Sequence, residues 1–137
     1  MTGPLQRTRE TMEIVRGEMG LEPSGYRIDE TLIEASYGLL EGTTLAEFKA
    51  ADPTRHKERK RTRWTFCPEQ GESHEMVLER VDRWLASLDG DVVVAGHGVV
   101  GRVLRYRLLG LEGQEAASFA FPQDRIFIWR DGQENLV

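Results

Sequence analysis

Apolar side chains recur along this chain with two different periods. Leu5, Thr8, Met12, Val15 and Met19 follow one another at helical spacing until Gly20, which predicts a helix over residues 4–19 with Pro4 in its first turn. Val77, Val81, Trp84, Leu85 and Leu88 make a second such stripe behind Ser73, a residue suited to cap a helix, so residues 73–88 are expected to be helical. A third helix is expected over 99–109. Thr44-Leu45-Ala46-Glu47 has the form of a capping box, and the short helix it opens should stop before Pro53. The other period is that of strands. Residues 26–33 alternate imperfectly, Asp91-Val92-Val93-Val94-Ala95 is an apolar run of the kind a parallel sheet buries on both faces, and 125–130 precedes a tight turn at Asp131-Gly132. Residues 34–42 and 67–72 read as loops. This order of elements predicts an α/β fold, a mostly parallel sheet flanked by helices, in one domain over residues 1–137.

Composition narrows the classes of function. The chain has 137 residues, 39% hydrophobic and 30% charged, which is the balance of a globular domain that needs no disulfide or metal to hold a core. A formal charge of −5 argues against a surface built for nucleic acid or anionic lipid, so any basic site must be local. The apolar runs are far shorter than the roughly 20 residues a bilayer requires. No secretory signal opens the sequence, and Cys67 has no second cysteine with which to pair, so a cytoplasmic protein is expected.

In open parallel sheets ligands bind outside the carboxyl ends of the strands, and His97 stands just past the end of the 91–95 run, with a glycine on either side. Four stretches around it carry a resemblance: Gly3-Pro4-Leu5-Gln6-Arg7-Thr8-Arg9-Glu10-Thr11, Leu32 to Gly42 with Glu34 four residues before Gly38, Gly71-Glu72-Ser73, and Val92 to Arg102 around Gly96-His97-Gly98. In this order they resemble the motifs of the histidine phosphatase superfamily, the phosphoglycerate mutase-like enzymes, with Gly3 where that family has serine. The resemblance implies a three-layer α/β domain and phosphoryl transfer on a small phosphorylated metabolite, without a cofactor. It makes Arg7, His97 and Gly98 the phosphate-binding residues and Glu34 and His97 catalytic, Glu34 as the proton donor. The chemistry is sound: an arginine near a helix start and an imidazole can hold phosphoryl oxygens, and a carboxyl group partly buried beside them can protonate the leaving oxygen.

The resemblance also implies a nucleophilic histidine in an Arg-His-Gly motif on a strand preceding these four stretches, and the 137 residues contain no such triplet. The chain is therefore expected to be N-terminally truncated relative to the family, to bind phosphate without turning over, and to associate with a second copy through the sheet edge so exposed. A phosphate-binding regulatory role without catalysis is the alternative. Gly96-His97-Gly98-Val99-Val100-Gly101 also spells a dinucleotide-binding fingerprint, though no acidic residue ends a second strand at the required distance. The basic run from Arg55 to Arg63 is expected to draw anionic substrates rather than to bind nucleic acid. Cys67 lacks the arginine six residues on that a cysteine phosphatase needs, and no His or Cys pair has metal-ligand spacing.

Overall fold

The structure is a computed structural model and describes residues 1–122 and 124–137. Helix α1 spans Gln6–Glu18 and begins later than expected, since Leu5 is its N-cap and Pro4 stands outside it. Only part of its apolar stripe is covered: Thr8 and Met12 are buried, whereas Val15 and Met19 are exposed. Helix α2, Leu45–Ala51, opens with the complete capping box, the Thr44 hydroxyl accepting the Glu47 N–H and the Glu47 carboxylate accepting the Thr44 N–H. The basic run folds into helix α3, Pro53–Arg61, because Asp52 caps it, Pro53 suits its first position, and Arg59, Lys60 and Arg61 lie at the negative end of the helix dipole.

Helix α4, His74–Ala86, is capped by Ser73 as expected. Helix α5, Gly98–Leu109, follows His97 and ends at Gly110, whose φ of 65° is the left-handed turn that glycine makes cheaply. Helices α4 and α5 pack face to face, and Val77, Val81, Trp84, Val99, Val103 and Leu104 from them, with Leu32, form the core. A short helix that the sequence pattern did not announce, α6 at Gly113–Ser118, packs on α5 and buries Ala116 and Ala117. Its Gln114 holds the end of α3, accepting the Arg63 N–H and donating to the Lys60 carbonyl.

The three-layer parallel sheet is not seen among the described residues. Their one ladder is the antiparallel pair β1, Phe127–Arg130, and β2, Gln133–Leu136, joined at the expected turn, where Asp131 and Gly132 both have positive φ. Residues 26–33 do not form a strand. They bend into a 3₁₀ turn at Glu30–Leu32, where Asp29 accepts the Thr31 N–H. Residues 91–95 are not a strand buried on both faces either, Val93 being 71% exposed. What survives of parallel pairing is two single bridges, Thr2 to Ile28 and Thr2 to Ala95. Met1 and Thr2 lie between the two extended segments, and Gly3 and Pro4 then turn the chain towards α1. These bridges still fix where the 91–95 segment ends and His97 begins. Among the described residues no helix is long and apolar enough to cross a membrane.

Candidate functional site

His97 is the N-cap residue of α5, and Glu34 lies on the loop that follows the 3₁₀ turn. A second loop holds Glu34 and its own loop in place. The 34–42 loop is laced to the 67–72 loop by Leu39 N–H to the Glu69 carbonyl at 2.9 Å, Glu72 N–H to the Ser36 carbonyl at 2.8 Å, and Ser36 N–H to the Glu72 carboxylate at 3.0 Å. Gly38 makes this approach possible: its φ is +53° and a Cβ there would stand 2.0 Å from the Glu69 carbonyl oxygen. So packed, the Glu34 carboxylate reaches the start of α5, where it accepts the Val99 N–H at 3.2 Å while also accepting the Ala35 N–H at 3.0 Å. A helix N-terminus is the favourable end for that charge.

Around His97 the structure gathers Glu34, Arg7 and Arg80, all close enough to bias its ring electrostatically. Burial is the largest influence and pulls the His97 pKa below its ordinary 6.5; Glu34 works against this, and Arg7 and Arg80 add to it. The ring is thus neutral near pH 7. Its Nε2 is buried with no hydrogen-bond partner among the described residues. Arg7 sits exposed in the first turn of α1, a helix with no side-chain cap, so its guanidinium and the helix end are both open to an anion. The site residues expected from the sequence, Arg7, Glu34, His97 and Gly98, are therefore brought together. A Cβ on Gly98 would stand 3.8 Å from Glu34 Oε2 and 3.3 Å from Arg102 Nη1.

Arg80 is the member that the sequence reading passed over. It lies on the buried stripe of α4, three residues after Val77 and four before Trp84, a position where a charged side chain needs a reason. It donates to the Thr31 carbonyl and pairs with Glu72 at 3.2 Å, so it stitches α4 to the 3₁₀ turn just before Glu34 and to the 67–72 loop. His56, by contrast, is remote in purpose: it is buried edge-on to Phe48, at 5.9 Å between ring centres, and closes the α2–α3 corner. The Gly96-Gly98-Gly101 run loses its dinucleotide logic here. The Val99 N–H is taken by a carboxylate, and the space beside Gly101 is filled by the Phe121 ring, 2.5 Å from where a Cβ would be. Among the described residues no group of three or more His, Cys, Asp or Glu side chains is placed to hold a metal ion.

Residues 1–132 match the histidine phosphatase superfamily (branch 1). The chain belongs to that superfamily. Among curated proteins it is 32% identical over 106 residues to the bifunctional protein Rv2228c of Mycobacterium tuberculosis, an alignment covering 71% of this chain and 27% of the relative. Among solved structures it is similar to a phosphoglycerate mutase from Thermus thermophilus, at 33% identity and a TM-score of 0.61, with 82% of this chain and 59% of that one covered. It is also similar to the mycobacterial glucosyl-3-phosphoglycerate phosphatase Rv2419c, at 26% identity and a TM-score of 0.72, covering 85% of this chain and 59% of that one. The same phosphatase has been solved with VO3. The chain thus spans little over a quarter of the curated relative and under two-thirds of these solved ones, and it shares with them the α/β histidine phosphatase fold.

Proposed function

We propose that this chain supplies the proton donor and part of the phosphate cradle of a phosphoryl-transfer site acting on a small phosphorylated metabolite. The observation that carries the reading is the seating of the Glu34 carboxylate at the start of α5, beside a buried His97 whose Nε2 has no partner among the described residues. A phosphoryl dianion entering between His97 and Arg7 supplies the acceptor that Nε2 lacks and neutralises the nearby guanidinium charge. Glu34 Oε2 then faces the ester oxygen that leaves: the family's nucleophilic histidine, which none of His56, His74 and His97 supplies, forms the new bond to phosphorus as the P–O bond breaks, and the carboxyl proton passes to the departing oxygen. Arg80 is a positioning residue, since it fixes the 3₁₀ turn before Glu34 and the loop packed against it.

The phosphatase and mutase relatives support phosphoryl chemistry without deciding between hydrolysis and transfer. The histidine that accepts the phosphoryl group in this family stands in an Arg-His-Gly motif, and none of His56, His74 and His97 does. Residues 1–137 alone are therefore proposed to bind phosphate and vanadate and not to turn over. Thermal melting tests this. Phosphate or orthovanadate should raise the Tm of the chain, His97→Ala should abolish the rise, and NAD should leave it unchanged. Protection by NAD in place of phosphate, or p-nitrophenyl phosphate hydrolysis that His97→Ala abolishes, would overturn the reading.

A further inference from the structure

Beside the Glu34–His97 pair opens a pocket that the phosphoryl reading does not use. Arg59, Arg63 and Arg102 line it, with His74, Tyr37 and Glu72. Its connection to the site is short, because Val99 and Ala35 belong to its wall and Arg102 Nη1 approaches the same point at Gly98 that Glu34 Oε2 approaches. The pocket therefore begins where the leaving oxygen would stand.

Its charge is only partly balanced, by Glu34, which attracts Arg102 from the neighbouring site. Among the described residues the ion pairs are Arg80–Glu72, Arg105–Glu134 and Arg107–Asp82, so none of the three pocket arginines is in one. The one acid in the wall, Glu72, is already held by Arg80. Arg102 is tethered through Nε to the Phe119 carbonyl at 2.8 Å, which fixes its guanidinium at the pocket. Arg63 is fixed at its backbone by Gln114. Burial, followed by repulsion from Arg63, holds the pKa of both Arg59 and Arg102 below the ordinary arginine range. His74 Nε2 is buried without a partner among the described residues, and burial with the charge of Arg102, Arg63 and Arg59 lowers this histidine to about 4, so it stays neutral. Three guanidinium groups converge in a chain whose net charge is −5. Such a convergence is stable at little cost when an anion completes it.

We propose that Arg59, Arg63 and Arg102 form a second anion subsite, so that the metabolite is a phosphate ester whose leaving alcohol carries its own carboxylate or phosphate group. The proposal rests on the reading of Glu34 and His97 above. The phosphoryl group lies at His97 and Arg7, the ester oxygen at Glu34, and the second anion of the alcohol reaches the arginines. Tyr37 adds a hydroxyl to the wall.

Isothermal titration of the chain with matched esters tests it. Ethyl phosphate has a neutral leaving alcohol, 2-phosphoglycolate replaces its methyl with a carboxylate, and ethylene glycol bisphosphate replaces it with a phosphate-bearing arm. At least one of the doubly anionic esters should bind roughly tenfold or more tightly than ethyl phosphate, the order expected for one or two charged hydrogen bonds; which one wins says whether the second anion is a carboxylate or a phosphate. The preference should shrink to about twofold in Arg59→Gln/Arg63→Gln and persist in Arg59→Lys/Arg63→Lys. It should also fall steeply in the unmodified chain as salt rises from 0.05 to 0.5 M, a readout that needs no variant to fold. Inorganic phosphate binding with equal affinity for all three esters would overturn the subsite and leave the phosphoryl reading standing. Failure of inorganic phosphate to bind at all would overturn both.

Discussion

Gly3 shows what one missing Cβ does for this site. The family resemblance puts a serine at that position, yet here a Cβ would stand 2.6 Å from the Leu32 carbonyl oxygen, a backbone atom that has no room to move because Leu32 is fully buried in the core. The close approach carries Glu34, two residues on, towards His97. Gly3→Ser should therefore destabilise the fold by about 1–3 kcal/mol, the range of overpacking a tight contact, and an urea melt would reveal it. An unchanged melt would mean that the Leu32 segment yields. His97 offers a second test at the same scale. Burial and the charges of Arg7 and Arg80 hold its pKa below 6.5, while Glu34 raises it. By NMR titration Arg7→Gln should move the His97 pKa up and Glu34→Gln should move it down. If neither variant moves it, the three side chains do not share a site.

At the scale of elements, the terminal hairpin is tied to the scaffold by one ion-pair cluster. Arg105 of α5 meets Glu134 of β2 through paired contacts of 2.8 Å, Trp129 Nε1 donates to the same carboxylate at 2.9 Å, and both charged side chains are nearly buried. The guanidinium also lies over the Phe119 ring at 3.7 Å, so the cluster joins α5, the segment after α6, and the hairpin. Glu134→Gln should cost about 2–3 kcal/mol, since it weakens charged hydrogen bonds and leaves a shielded arginine short of a partner. Differential scanning calorimetry would measure it, and a change under about 0.5 kcal/mol would show the hairpin to be loosely held. Helices α1, α2, α4 and α5 were legible in the sequence because they carry their own signals: Ser73 and Thr44 cap, and Val77, Val81 and Trp84 repeat at helical spacing, whereas the polar α3 has no apolar stripe. Of the strands only the last, over 125–130 before the Asp131-Gly132 turn, was legible; the other two were not, because pairing is a property of the partner. Residues 26–33 and 91–95 have strand-like composition and find only Thr2 between them. Of the site, His97, Glu34 and Arg7 could be read from motifs in order, whereas Arg80 is disclosed only by a charge on an apolar stripe, and the arginine pocket depends on α6, whose small alanines carry no periodic signal.

For the whole molecule, acid and apolar exposure set the limits of stability. His74 is lowered from 6.5 to about 4, so the folded state takes up its proton later than the unfolded one as pH falls. The stability linked to His74 is therefore fully present above about pH 6.5 and is lost progressively towards pH 4, a span worth about 3 kcal/mol. Glu134, whose pKa is lowered chiefly by its hydrogen bonds from Arg105, adds a further loss below its ordinary 4.5. The Tm should fall steadily between pH 6.5 and 4, and a His74→Gln variant should show a flatter curve over that interval; an equal slope would refute the assignment. At neutral pH the limit is solubility. Ile14 and Met19 are each 67% exposed and Val93 71%, with Leu21 and Ile28 also exposed on the segment that runs back along α1. Exposed apolar side chains in this density favour association with a like surface, and the 91–95 segment adds backbone groups able to pair with a second chain. Sedimentation at increasing concentration should show a weight-average mass rising above the 15.6 kDa of one chain. Ile14→Lys with Val93→Lys should return it towards that value, because the two lysines put charge into the surface that must be dehydrated on association. A constant monomer mass in the unaltered chain would mean that this strip is tolerated in water, and the expected self-association would then be wrong.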